Sequence, residues 1–205
     1  MYKANLPSSF FLADARIVAK DLLGMIIVKK HKNNYIAGRI VETEAYIGSL
    51  DKASHAYSNK RTKRVMPLYE KGGISYVYKI YGMYYCMNVV TGPKNDAQGV
   101  LIRALQPLDG LDIMSENRYK KSYSSLTNRE IKNLTSGPGK LSIALDIDLN
   151  MNMHDLSSED FFIMDDGFKD FSIVTTTRIG IDYAEEAKDF LWRYYIKNND
   201  FVSKL

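Results

Sequence analysis

Glu44 and Tyr46 stand two residues apart in the stretch Gly38-Arg39-Ile40-Val41-Glu42-Thr43-Glu44-Ala45-Tyr46. On an extended strand that spacing puts a carboxylate and a phenol ring on one face. A second stretch, Tyr76-Val77-Tyr78-Lys79-Ile80-Tyr81-Gly82-Met83-Tyr84-Tyr85-Cys86-Met87-Asn88, crowds tyrosines around a glycine. Rings hold a flat aromatic group by stacking. A carboxylate beside them can take a proton from a water that attacks whatever the group is attached to. A nucleobase on its sugar fits that description. Glu42 lies on the same strand face as Glu44 and is a rival for the role; it could instead pair with Arg39 or a loop cation.

Each residue also has a plain structural reading. An exposed strand carboxylate is the norm for glutamate. Cross-strand aromatic packing accounts for many tyrosines in antiparallel sheets. Tyr81, next to Gly82 at a hairpin tip, is harder to read as core, and a rigid ring there can act as a wedge in a base stack. His55, in Asp51-Lys52-Ala53-Ser54-His55, reads as a surface histidine or as a polar wall for a base edge. The run Lys60-Arg61-Thr62-Lys63-Arg64 is a solvated loop or a phosphate contact. Ser136-Gly137-Pro138-Gly139-Lys140-Leu141 lacks the first glycine of a nucleotide-binding loop, because position 134 is Leu134. It can still be a tight helix start, with proline in the first turn. The chain has no His-x-Glu with Pro-Cys-x-x-Cys for a zinc deaminase, no Gly-x-Ser-x-Gly and no Gly-x-Gly-x-x-Gly.

The elements that must position these groups follow from hydrophobic periodicity. Phe11 to Leu23 predicts an amphipathic helix ended by Gly24. Met25 to Val28 and Tyr35 to Ile47 predict strands joined by an Asn33-Asn34 turn. In the second strand Val41, Thr43, Ala45 and Ile47 face the core, and Glu42, Glu44 and Tyr46 face a cleft or water. Tyr76 to Val90 predicts a hairpin turning at Gly82. Val100 to Leu105 predicts a strand ending at Gln106-Pro107. Helices are expected over Leu111 to Tyr119 and Pro138 to Leu145, and strands over Phe161 to Met164, Phe171 to Thr176 and Leu191 to Ile196. The polar region from Ser115 to Thr135 is expected to cover the surface. The fold class expected is mixed α/β: a single domain over residues 1–205 with a curved antiparallel β-sheet core, surrounding helices and a protruding β-hairpin.

Composition bounds the setting. The chain has 205 residues and a net charge of +4, compatible with a polyanion partner without demanding one. A lone cysteine, Cys86, forms no intrachain disulfide and points to a reducing compartment. Three histidines and one cysteine argue against a Cys/His zinc site. No signal-peptide pattern opens the chain, and no apolar run of roughly 18 residues occurs. A soluble intracellular protein with no membrane partner is expected.

The chain resembles the alkyladenine, or methylpurine, DNA glycosylase family. The resemblance is carried by Ile40 to Tyr46, Asp51 to His55, Tyr76 to Asn88, Val100-Leu101-Ile102-Arg103-Ala104-Leu105 and Ser136 to Leu141, in that order. It implies a DNA glycosylase that flips alkylated or deaminated purines (3-methyladenine, 7-methylguanine or hypoxanthine type) out of double-stranded DNA, cleaves their N-glycosidic bond and so starts base excision repair. It implies that Glu44 activates the water, with Arg103 near that water and the backbone phosphate. Tyr46, His55, Tyr78 and Asn88 would form the base pocket, and Tyr81 would enter the minor groove. Arg61, Lys63, Arg64, Lys140 and Arg178 are the expected phosphate contacts. No lysine is marked out as a Schiff-base nucleophile, so a monofunctional enzyme leaving an abasic site is expected. The resemblance further implies no metal and no cofactor, a monomer, and a cytoplasmic, nucleoid-associated setting of bacterial type. Gln106 departs from the family's usual glutamate before proline, Met66 to Tyr69 varies a usual segment, and Glu185 to Asp189 is acidic for a DNA-facing stretch. Two other classes share part of this signature. A non-catalytic module that stacks single-stranded bases needs the tyrosines but not Glu44. A hydrolase of free nucleosides needs neither the wedge nor the basic loop.

Overall fold

The computed structural model describes residues 2–205. Strand β2 (Asn34–Ile47) is its spine. Its first half pairs with β1 (Ile26–His31), and its second half pairs on the same side with β8 (Arg193–Ile196). Along its other side runs β5 (Gln98–Asp109). The hairpin β3 (Ser75–Ile80) and β4 (Tyr84–Val90) joins through β4 to β5. Two further strands, β6 (Phe161–Met164) on β1 and β7 (Ile173–Thr176) on β8, complete an eight-stranded antiparallel sheet. A long strand that changes partner midway forces the sheet to curl. The result is a mixed α/β domain with a half-barrel sheet and few helices.

The inner face of β2 follows the alternation read from the sequence. Val41 and Ala45 are in the main core, and the Thr43 hydroxyl donates to the Ala19 carbonyl at 2.7 Å. That bond ties β2 to α1 (Ala15–Asp21), which is shorter than the helix expected over Phe11 to Leu23. Asp14 breaks it: with φ −54° and ψ 139° it leaves the helical region, and its carboxylate caps Arg16 N. The residues before it form a separate 3₁₀ turn, Ser8–Leu12.

β5 runs past its expected end. Pro107 sits opposite Gly38, at a register shift between Ala37 and Gly38, where an irregular ladder tolerates a missing N–H. Two more shifts, around Val41 and Arg103, leave those residues unpaired between the two strands. Such bulges re-aim side chains. α2 (Leu111–Tyr119) and α4 (Pro138–Ala144) lie where periodicity placed them. α3 (Asn128–Lys132) was not anticipated. The glycine of Pro138-Gly139 is a packing device: a Cβ on Gly139 would lie 3.2 Å from the Tyr84 side chain, so the gap lets α4 close on the hairpin. Among the described residues no helix is long and apolar enough to cross a membrane.

Candidate active site

A cavity of about 570 Å³ opens on the outer face of β2, large enough for a nucleobase. Tyr46, His55, Tyr78, Asn88 and Arg103 line it, with Tyr76 behind them. The structure thus brings together five residues named from the sequence that come from five separate segments. Tyr81 and Tyr183, 87% and 70% exposed, stand at the mouth.

Glu44 lies behind the cavity wall, and its three hydrogen-bond partners form part of that wall. Oε2 accepts from the Tyr46 hydroxyl at 2.7 Å and from Arg103 Nη1 at 3.2 Å; Oε1 accepts from the backbone N–H of Ile179 at 2.8 Å. The reading of Glu44 as a solvated strand residue therefore fails: both Glu44 and Glu42 are 0% exposed. The outer face of β2 does not reach water at these positions, because β8 and the segment around Ile179 cover it.

Counting acceptor sites separates the two carboxylates. An ionised carboxylate has about four lone-pair positions. Glu42 receives Arg103 Nε, Arg193 Nε and the Ser203 hydroxyl on Oε1, and the Ser203 N–H on Oε2. It is saturated. Glu44 receives three donors, two on Oε2 and one on Oε1, so one position on Oε1 has no donor from the protein. The Glu42–Arg39 pairing considered from the sequence does not form; Arg39 pairs with Asp166 instead.

The cavity wall is kept neutral. Burial, then the Arg64 and Lys60 charges, push the His55 imidazole down to about 4. Its Nδ1 is 2.9 Å from the Tyr76 hydroxyl, and its ring meets Tyr78 edge-on at 4.6 Å. Burial raises Tyr76 to about 12 and holds Tyr46 and Tyr78 well above the ordinary phenol value, with the Glu44 charge reinforcing the shift at Tyr46. All three phenols stay protonated near neutral pH. The Cys86 thiol, opposite Tyr78 across the hairpin, is pushed up to about 11 by burial. Asn88 is buried, and its amide donates to the Tyr76 carbonyl at 3.1 Å.

At the hairpin tip, Tyr81 and Gly82 have φ of 49° and 70°, closed by Met83 N–H donating to the Ile80 carbonyl at 3.2 Å. Both central residues at positive φ define a type I′ turn. A tyrosine in the left-handed region is strained by about 1 kcal/mol.

The expected phosphate contacts divide. Arg61, Lys63 and Arg64 are exposed; Arg61 lies over the Tyr69 ring at 3.9 Å and Arg64 over the Tyr78 ring at 5.0 Å. Lys140 is half-buried, with its ammonium donating to Asn133 Oδ1 at 2.5 Å. Arg178 requires a correction. Its side chain is wholly buried, forked onto Asp51 at 2.5 and 2.8 Å and donating to the carbonyls of Ala45 and Ala187. It lies 4.7 Å from the Tyr46 ring centre. A guanidinium so enclosed presents no face to a phosphate. It props the pocket instead. In the acidic stretch Glu185 and Glu186 both pair with Lys52 and remain exposed.

Sequence reading missed the Ile179 N–H, which as a backbone donor leaves no side-chain signal, and Tyr183 at the mouth. It also missed Arg193 and Ser203, which come near Glu42 only through strand pairing and the fold of the C-terminal segment. Among the described residues no group of three or more His, Cys, Asp or Glu is placed to hold a metal ion.

Comparison with known proteins places the chain in a family. A profile of the methylpurine-DNA glycosylase (MPG) family matches residues 9–200. The chain belongs to that family, whose members are hydrolases that cleave N-glycosyl bonds in DNA. A Clostridium botulinum (strain Hall) protein named "Putative 3-methyladenine DNA glycosylase" is 52% identical over 200 residues, covering 97% of this chain and 98% of its own. A Clostridium perfringens (strain 13) protein of the same name is 54% identical over 203 residues, with coverage of 98% and 99%.

Proposed function

We propose that the protein flips alkylated or deaminated purines, of the 3-methyladenine, 7-methylguanine or hypoxanthine type, out of duplex DNA and hydrolyses their N-glycosidic bond. The observation that carries this reading is Glu44: a buried carboxylate held by three donors, each from a residue that lines an aromatic cavity. The flipped purine lies against Tyr46 and Tyr78 with His55 at its edge. Tyr81 fills the gap in the duplex, and the strain at its backbone keeps the ring projecting from the tip. Unstacking costs a few kcal/mol, less for a lesion that already pairs poorly.

Glu44 accepts a proton from a water that attacks the anomeric carbon. As the bond breaks, the sugar gains oxocarbenium character, which the carboxylate stabilises by charge. Alkylation at N3 or N7 leaves the purine cationic and a good leaving group, and a neutral His55 does not repel it. Asn88 opposes the amino group of an undamaged guanine. Arg103 holds the carboxylate and faces the reacting sugar. Because water is the nucleophile, the product is an abasic site, and this is the first step of base excision repair. Arg61, Lys63 and Arg64 contact phosphates, and Lys140 has two donors left beyond Asn133 for the same purpose. The chain acts as a monomer.

Base release from a labelled duplex with one hypoxanthine or 3-methyladenine-type lesion tests the reading. Wild type should release the base. Glu44→Gln, which keeps shape but lacks basicity, should bind the duplex and release nothing. Equal release by both would remove Glu44 from the reaction.

A further inference from the structure

Glu42 holds four donors and takes no part in the chemistry above, yet it sits in one buried array with Glu44. Arg103 spans the two carboxylates, with Nε 3.2 Å from Glu42 Oε1 and Nη1 3.2 Å from Glu44 Oε2. Arg193 closes on Glu42 from β8 at 2.7 Å. Two carboxylates and two guanidiniums, at most 9% exposed, balance each other in charge. The array does not end there. Ser203 donates its N–H and its hydroxyl to Glu42, at 2.7 and 3.0 Å, and Arg193 Nη2 donates to the Lys204 carbonyl.

The guanidinium is a rigid planar fork, so whatever holds one edge sets the position of the other. Held by Glu42, Arg103 reaches Glu44 with one nitrogen only. Released from Glu42, it is free to turn and grip Glu44 with two, which fills the acceptor position that a water needs. We propose that Glu42 is a positioning residue for base excision: it restrains Arg103 so that Glu44 keeps that position open, and the C-terminal segment at Ser203 restrains Glu42 in turn. The proposal rests on Glu44 being the general base.

Single-turnover base release and equilibrium binding, both on the lesion duplex, test it with wild type, Glu42→Gln, Arg103→Lys, the double variant and Ser203→Ala. Glu42→Gln should release base about a hundred-fold more slowly, the scale of a small misplacement at a reacting group, with lesion binding unchanged. Because Glu42 acts through Arg103, the double variant should be no slower than Arg103→Lys alone. Ser203→Ala removes a single hydroxyl and should fold normally while losing roughly three- to ten-fold in rate. Additive losses in the double variant, or a wild-type rate in Glu42→Gln, would overturn the proposal. Should Glu42→Gln not fold, a wild-type rate in Ser203→Ala overturns it alone. A wild type that releases base, beside an equally active Glu44→Gln, fails at the earlier step and takes this one down with it.

Discussion

Loss of Arg178 has one consequence if its guanidinium meets a phosphate and another if it is half of a buried ion pair with Asp51. As a phosphate contact, its loss would weaken DNA binding and flatten the salt dependence by about 0.9 in the slope of log K against log salt. As the structure has it, both Arg178 and Asp51 have wholly buried side chains, joined by a two-pronged pair. Removing one partner of a buried pair leaves an uncompensated charge and costs about 3–5 kcal/mol. For a chain of 205 residues, at ~2.1 cal/mol/K of unfolding entropy per residue, that lowers Tm by roughly 7–12 °C.

Asp51→Asn is the cleaner perturbation, because it keeps the volume and strands the Arg178 charge. Thermal unfolding followed by circular dichroism at neutral pH should show the full drop. A double change of Asp51 and Arg178 to apolar residues of similar size should recover most of it, since no charge is then left alone. The salt slope of duplex binding should match wild type for Arg178→Met and fall by about 0.9 for Arg64→Ala. An Asp51→Asn protein melting within about 2 °C of wild type, with a reduced salt slope in Arg178→Met, would refute the structural assignment and restore the phosphate role.

Two further outcomes follow from other parts of the site. His55 titrates at about 4 in the folded chain and near 6.5 unfolded, so the unfolded state binds its proton first as pH falls. Its contribution to stability is complete above about pH 6.5 and is lost between there and about pH 4, amounting to roughly 2.5 kcal/mol by pH 4.5. Urea midpoints at pH 7 and 4.5 should therefore diverge more in wild type than in His55→Gln; equal divergence would mean that His55 is not held neutral. Tyr81→Gly relieves about 1 kcal/mol of left-handed strain at a tip with nothing packed on it, so Tm should hold or rise while affinity for an abasic-site duplex falls. Unchanged affinity would remove Tyr81 as the wedge.

What could be read from the sequence was whatever local periodicity encodes. The alternation of β2 gave its two faces, and the tyrosine-rich run gave the hairpin with its glycine turn. Relations made by non-local pairing were not legible. Glu42 and Glu44 look alike on one strand, and only the donors brought by β5, β8 and the C-terminal segment tell them apart. Arg178 follows a strand and carries a charge, so it reads as surface until Asp51, 127 positions away, is seen beside it. The helix over Phe11 to Leu23 failed at Asp14, a capping residue whose signal was present but was outweighed by the apolar spacing. α3 had a readable signal too: Thr127-Asn128-Arg129-Glu130 forms a capping box, with Glu130 N–H donating to the Thr127 hydroxyl.

The charges around the cavity bear on how the proposed enzyme would choose its substrate. Glu42 and Glu44 are matched by Arg103 and Arg193, Asp51 by Arg178, His55 is neutral and the pocket phenols are protonated. The wall therefore has little net negative charge with which to attract a cationic purine, and Arg64 at its edge opposes one. On the proposed function, a site built this way would take charged and neutral purines alike, on stacking and shape. The difference between them then falls on bond cleavage, where a cationic base departs without a proton and a neutral one does not. Neutrality also suits Glu44. A net positive wall would hold the carboxylate too firmly to take a proton, whereas here the charge passes from Glu44 to the attacking oxygen as the proton moves the other way.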